Sequence, residues 1–389
     1  MKLDKNHLTF FALLRAGLFP IHGEGVMVND SLFESVDWEE VYRLAQEQSV
    51  QGVVLQGIEA VQGSWLKVHG SPLVPQLLLL EWIGEVQIMA DQNKLMNEYV
   101  ASLIETLRKN EIHPILVKGQ GIAQCYEKPL CRNCGDIDLL LDSSDYEKAK
   151  ALLLPQASSV EQEYSYFKHI GMTLDGWVVE LHGTLQSRLS KRIDDELDRM
   201  QTEIHRDGEV IVWQNEGTDI CLPSPDIDAI YVFTHILHHY FFEGIGLRQI
   251  CDWCRLLWTY RDSLNYELLE SRIRKMGIMT EWKAFAAFAA EYLGMPVEAI
   301  PLLDIRGKKE EVRWKKKADI ICSFVLEVGN FGHKQRRDYC GQPYFVRKFN
   351  SFWGRLSDML RHFTLFPKDS IVFFGGVLRS GLHAAVRGE

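Results

Sequence analysis

One short stretch constrains this chain more than any other: Gly135-Asp136-Ile137-Asp138 runs directly into Leu139-Leu140-Leu141. The run has the length of a strand and ends at a turn signal, Asp142-Ser143-Ser144. Because residues i and i+2 of a strand point to the same face, Asp136 and Asp138 are predicted to project together. Two adjacent carboxylates repel each other and are normally held by a cation. Mg²⁺ prefers carboxylate oxygens together with substrate phosphates, so the stretch predicts a metal site.

A third carboxylate follows on a later predicted strand. Glu180 stands among apolar neighbours in Val178-Val179-Glu180-Leu181. Burying a lone carboxylate is costly unless it is paired or bound to a metal, which favours a functional role. The alternative is an outward-facing residue of an amphipathic strand.

The segment before the acidic strand has features of a phosphate site. Ile115-Leu116-Val117 is a predicted buried strand, and Lys118-Gly119-Gln120-Gly121 follows it at a predicted helix start. Backbone N–H groups at a helix N-terminus suit phosphate, and a lysine adds a point charge. The alternative is an ordinary tight turn with a solvated lysine. Arg132 can either neutralise a triphosphate or hold Asp136 in place.

These segments together resemble an uncharacterised bacterial branch of the nucleotidyltransferase superfamily that contains DNA polymerase β. The resemblance rests on Lys118-Gly119, Arg132, Gly135-Asp136-Ile137-Asp138-Leu139-Leu140 and Glu180-Leu181-His182. The usual Gly-Ser after the first strand is replaced by Lys118-Gly119, as in the branch it resembles.

The resemblance implies transfer of a nucleoside monophosphate from a nucleoside triphosphate to a hydroxyl of an unknown acceptor. It implies Mg²⁺, or Mn²⁺, on Asp136, Asp138 and Glu180, with Glu180 orienting or deprotonating the attacking hydroxyl. The nucleotide would be bound by residues of the turn and the loop that follows it: Lys118, Gly119, Gln120, Gly121, Arg132 and Gly135. The altered glycine turn leaves a second hypothesis, a non-catalytic protein that binds a nucleotide or sugar-phosphate. A third hypothesis is a scaffold protein whose function depends on the helical regions on either side of the core.

The pattern along the chain predicts an α+β protein with a small mixed sheet. We expect a nucleotidyltransferase core at 111–223, between helical regions at 1–110 and 224–389, the latter with a basic tail. Strand, helix, strand, helix and hairpin follow one another in the core. Ser224-Pro225-Asp226 predicts the start of the first helix after it.

Histidines mark that helix. His235, His238 and His239 stand at i, i+3 and i+4, a spacing that can bring ligands together. No acid stands at the zinc-protease position, and the commoner interpretation is a packed helix face. The resembling branch has a similar helix followed by an acid equivalent to Asp252, which implies that His182, His235 and His239 lie on the acceptor side.

Composition excludes some classes of protein. The apolar stretch from Leu8 is short and interrupted by Arg15, so we expect no membrane span, no signal peptide and a cytoplasmic location. The pairs Cys131/Cys134 and Cys251/Cys254 lie too far apart for a zinc ribbon and are read as reduced thiols. A net charge of −10 argues against a general nucleic-acid binder, although the basic stretch Lys308–Lys317 permits an anionic partner.

Overall fold

The chain is α+β, as predicted, with a mixed sheet inside a largely helical protein. The computed structural model describes residues 3–19, 30–163, 168–303 and 307–329, and scattered positions between 346 and 375. The aromatic residues Phe345, Phe349 and Phe352 of the predicted basic tail lie outside the described residues. No described helix is long and apolar enough to cross a membrane. A cytoplasmic location stays a prediction from the sequence.

The helices before, within and after the sheet region are as follows in chain order. They are α1 (Lys5–Leu18), α2 (Trp38–Glu47), α3 (Gln51–His69), α4 (Gln76–Lys109), α5 (Gly119–Ala123), α6 (Ser143–Leu153), α7 (Lys191–Thr202), α8 (Pro225–Phe242), α9 (Leu247–Tyr260), α10 (Tyr266–Met276), α11 (Met279–Leu293) and α12 (Lys308–Val328). The basic stretch Lys308–Lys317 is the first half of α12.

Seven strands form two sheets in the described chain. They are β1 (Ile115–Val117), β2 (Asp136–Leu140), β3 (Ser159–Val160), β4 (His169–Leu174), β5 (Trp177–His182), β6 (Val210–Asn215) and β7 (Thr218–Pro223). The larger sheet has the order β1-β2-β5-β4-β3, with β2 and β5 parallel and the other pairs antiparallel; β6 and β7 form a hairpin. The mixed sheet predicted for the core is therefore confirmed.

Side-chain caps mark the starts of several helices. The Asp37 side chain accepts a hydrogen bond from the Glu40 N–H at the start of α2, as its sequence pattern predicts. Helix α6 begins at Ser143, because Asp142 accepts bonds from the N–H groups of Ser144 and Asp145 and is itself the cap. Pro225 occupies the first turn of α8, but the Ser224 side chain makes no capping bond.

The two faces of β2 enter different apolar cores. Ile137 and Leu139 join the core between the sheet, α6 and the C-terminal half of α4. The opposite face of β2 carries Asp136 and Asp138 and points toward the helical side of the molecule. Leu140, on the same face, joins a larger core built mainly from helices. Since α4 packs against the sheet, it belongs physically to both regions; the division of the chain at residue 110 stays a prediction.

Candidate active site

The register of two parallel strands brings the predicted carboxylates together. Asp138 on β2 pairs directly with Glu180 on β5, and Asp136 pairs with Val178. Carboxylate oxygens of Asp136, Asp138 and Glu180 all lie within 4.8 Å of one another. The expected position of Glu180, on the neighbouring strand and the same face, is therefore observed. Three carboxylates at this separation form an all-oxygen donor set of the kind that holds Mg²⁺ or Mn²⁺.

Lys118 neutralises one of the three carboxylates. Its Nζ lies 2.7 Å from Asp138 Oδ1, and the side chains are only 15% and 2% exposed. Burial lowers the pKa of Lys118, but the nearby acidic groups, Asp138 foremost and then Tyr231, Glu180 and Asp136, together outweigh burial and the net shift is upward. The backbone at Lys118 has φ 55° and ψ −143°, a strained conformation for a residue with a side chain. The lysine predicted to bind the triphosphate thus contacts a carboxylate of the acidic cluster.

Two histidines lie against the same cluster. His182 Nε2 is 2.7 Å from Asp138 Oδ1 and 3.4 Å from Glu180 Oε2. His169 Nε2, on β4, is 3.1 Å from Glu180 Oε2. Burial lowers the pKa of His182, but its bonds to Asp138 and Glu180 raise it overall. Burial raises the pKa of Glu180, yet the two histidines bring it well below its usual range. Glu180 is therefore ionised at neutral pH.

Asp136 is the exception in the cluster. In the part of the chain that the structure describes, no basic group lies within ion-pair distance of its carboxylate. Repulsion by Asp138, followed by burial, raises the pKa of Asp136 above its ordinary value. A bound divalent cation would remove this repulsion, so the residues present fit a metal ion.

Helices α8 and α9 form the wall opposite the sheet face. Tyr231 and His235 stand one turn apart on α8. The pKa of Tyr231 is raised to about 12 by burial and, more weakly, by Asp138 and Glu180. Burial, and then the charge of Lys118, lowers the pKa of His235. Arg248 on α9 lowers the pKa of Asp136, which places its charge near the open end of the cluster.

The other histidines of α8, His238 and His239, have partners within the protein. His239 Nε2 lies 2.9 Å from His235 Nε2, and His239 Nδ1 lies 2.9 Å from Glu243 Oε2. His238 Nδ1 is bonded to the carbonyl of Ser187. Among the described residues, the groups with metal-ligand spacing do not include this trio. The packed helix face is the interpretation that the structure favours.

Three residues predicted to bind the nucleotide make contacts within the protein. Arg132 Nη2 lies 2.6 Å from Asp252 Oδ2, and its Nε donates to the other oxygen of the same carboxylate. The Gln120 amide donates to Asn93 Oδ1. Gly121 lies so close to Leu222 that an added Cβ would be 2.9 Å from a methyl carbon. Each of these contacts holds the turn or the loop in place, so a nucleotide role for these side chains stays a prediction.

Two glycines remain beside the carboxylates. Gly119 has φ 37°, and a Cβ there would lie 3.3 Å from the Asp136 carbonyl oxygen. The exposed Gly135 has open space where a Cβ would be. Helix α5 has only five residues, Gly119–Ala123, and is three residues shorter than the short helix that the sequence pattern allows from Gly119 to Tyr126.

The cysteine pairs form no metal site in the described chain. Cys251 and Cys254 are buried in α9, and Cys134 Sγ contacts the carbonyl of Asp136. Neither pair belongs to a group with metal-ligand spacing. None of these four cysteines is in a disulfide bond, and their reading as reduced thiols stays a prediction.

Sequence reasoning missed three residues around the cluster: His169, Tyr231 and Arg248. His169 had a detectable signal, because it stands on a predicted strand next to the one that carries Glu180. Tyr231 and Arg248 had none, since only the packing of α8 and α9 over the sheet brings them to the carboxylates.

Comparison with known proteins identifies a family for this chain. A family described as an uncharacterised nucleotidyltransferase matches residues 34–294. The matched range contains both sheets and every element that contributes to the cluster, from Lys118 on the turn to Arg248 on α9. No curated protein and no solved structure gives a significant match.

Proposed function

We propose a reaction for this chain from one premise: it belongs to this uncharacterised family of nucleotidyltransferases and is a transferase. In our proposal the enzyme transfers a nucleoside monophosphate from a nucleoside triphosphate to a hydroxyl group of a small-molecule or protein acceptor. The single observation that supports it best is the convergence of Asp136, Asp138 and Glu180 on one face of the sheet. The alternative of a non-catalytic binding protein has no observation of this strength in its favour.

A divalent cation, Mg²⁺ or Mn²⁺, would be held by Asp136, Asp138 and Glu180. When bound, it would neutralise charge on the phosphates and on the attacking and leaving oxygens. The carboxylates differ in how many of their oxygens already have a partner in the protein. Asp138 already shares Oδ1 with Lys118 and His182, so its second oxygen is the one left for a cation, while among the described residues no basic group occupies either oxygen of Asp136.

The residues around the carboxylates have separate positioning and binding roles in this proposal. Lys118 and His182 hold Asp138 in one position, and His169 and His182 hold Glu180. The turn at Gly119 and the open backbone at Gly135 are the places where a triphosphate can approach the sheet closely. Arg248 supplies positive charge at the Asp136 end. Tyr231, His235 and His239 line the acceptor side on α8.

The bond changes follow from this arrangement. The acceptor oxygen attacks the α-phosphorus, the bond from that phosphorus to the β-phosphate oxygen breaks, and pyrophosphate leaves. The acceptor proton is released to water. Because hydrogen bonds lower the pKa of Glu180, this carboxylate is a weak base. Its role in the proposal is to orient the attacking hydroxyl and not to retain the proton that the hydroxyl loses.

Calorimetry tests the nucleotide site. Each of the four nucleoside triphosphates is titrated into the protein with Mg²⁺ and, separately, with EDTA. We expect metal-dependent binding by the wild type and its loss in Asp136→Asn, but not in Asp262→Asn, a control whose side chain is 87% exposed. Equal binding with and without the metal would contradict the proposal.

A further inference from the structure

We propose a second cation position beside the first, formed by His169, Glu180 and His182, for a divalent transition-metal ion such as Zn²⁺. This inference rests on the proposed function only in sharing Glu180 with it. The family resemblance implies carboxylate ligands alone, so the two imidazoles are additional. In the described chain these three residues form one of two groups whose ligand atoms lie within 4.8 Å of one another.

The sheet register builds this group. His169 on β4 pairs directly with His182 on β5, so their rings lie side by side with centroids 4.7 Å apart. Glu180 stands two residues before His182 and therefore on the same face. Both imidazole Nε2 atoms are directed at one oxygen of Glu180, at 3.1 and 3.4 Å. Three potential ligand atoms on two neighbouring strands thus lie within 4.8 Å of one another.

The donor chemistry differs from that of the neighbouring carboxylate position. Two imidazole nitrogens and one carboxylate oxygen suit Zn²⁺, Co²⁺ or Mn²⁺ better than Mg²⁺, which prefers oxygen alone. His169 and Glu180 are each 24% exposed and His182 is 13% exposed. A metal ion with three protein ligands would therefore keep an open position toward solvent or substrate.

Binding here replaces hydrogen bonds that the structure already aims at Glu180. The metal takes the place of the Nε2 protons, and Asp138 loses its bond from His182. Asp138 keeps its partner Lys118 at 2.7 Å, so Asp138 is not left without a cation. Because Glu180 belongs to both groups, the two cations would be neighbours, as in two-metal sites.

The test uses Co²⁺ as a spectroscopic probe of nitrogen ligation on the full chain. Wild-type protein, His169→Gln and the exposed control His113→Gln are each titrated with Co²⁺ while visible absorption is recorded. We expect bands of nitrogen-bound Co²⁺ in the wild type and control, and an affinity lower by about tenfold or more in His169→Gln. Equal affinity and spectra in all three would overturn the inference.

A second measurement needs no variant. Histidine ¹⁵N resonances of the wild type are followed as Zn²⁺ is added, and the Nε2 signals of His169 and His182 are expected to shift together. Movement of neither signal would overturn the inference. Nucleotide calorimetry on the wild type is a separate readout: its failure would reject the proposed function while leaving a Co²⁺ result at His169 intact.

Discussion

The ammonium group of Lys118 lies 2.7 Å from Asp138 Oδ1, and the pair is nearly buried. This pairing divides the acidic cluster into unequal members. Asp138 is held by Lys118 and His182, whereas among the described residues Asp136 has no cationic partner and carries a raised pKa. Substitutions at the two positions are therefore expected to have opposite effects on the stability of the metal-free protein.

Removing the charge of Asp136 should not destabilise the protein. Asp136→Asn relieves the repulsion from Asp138, so we expect an unchanged or higher melting temperature in EDTA. Asp138→Asn leaves Lys118 buried without its carboxylate, which we expect to cost about 3 kcal/mol in the free energy of unfolding. Chemical denaturation of both variants in EDTA measures the contrast. Equal destabilisation by the two changes would show that the ion pair does not separate their roles.

The glycine turn gives a prediction for nucleotide affinity. Gly119→Val places a branched side chain 3.3 Å or less from the backbone of Asp136, at a φ that favours glycine. We expect the affinity for a nucleoside triphosphate with Mg²⁺ to fall by about tenfold or more. The matched control is Gly84→Val, at an exposed position of helix α4, where nothing lies within 4 Å of an added Cβ. Wild-type affinity in both variants would move the phosphate site away from this turn.

A buried carboxyl outside the cluster gives a pH prediction. Burial, and then the charge of Asp252, raises the pKa of Asp228 to about 7, and its Oδ1 has no hydrogen-bond partner. The folded state therefore binds a proton that the unfolded state releases near pH 4. Stability from this group is present at low pH and is lost as the pH rises toward 7. We expect the free energy of unfolding of Asp228→Asn to fall less than that of the wild type over this range. Parallel curves, measured by urea denaturation, would reject the assignment.

Local patterns were sufficient to predict most of the fold. The strand Ile115–Val117 and the helices Leu247–Tyr260 and Tyr266–Met276 occur with the predicted bounds. Their signals are short-range: apolar runs, caps, and turns. The short strand Ser159–Val160 was missed, because two exposed residues that pair at a sheet edge leave no periodic pattern.

Side-chain partners were harder to predict than elements. Asp138 and Glu180 are neighbours because their strands pair in parallel, an arrangement that the order of strands along the chain favours. The ion pair between Arg132 and Asp252 cannot be predicted in this way. Asp252 is 120 residues away and reaches Arg132 only when α9 packs against the loop. The same is true of Lys118, whose side-chain direction depends on a strained backbone that its sequence does not reveal.

We expect this carboxylate cluster to perform nucleotidyl transfer. The most direct measurement follows label from α-phosphate-labelled nucleoside triphosphates into an acceptor pool of metabolites and proteins, together with pyrophosphate release. We predict Mg²⁺-dependent transfer by the wild type. We also predict that Glu180→Gln binds nucleotide nearly as well but transfers almost no label, since the carboxylate acts mainly in the transition state. Transfer by Glu180→Gln at the wild-type rate, or nucleotide binding by the wild type without any transfer or pyrophosphate release, would contradict the account.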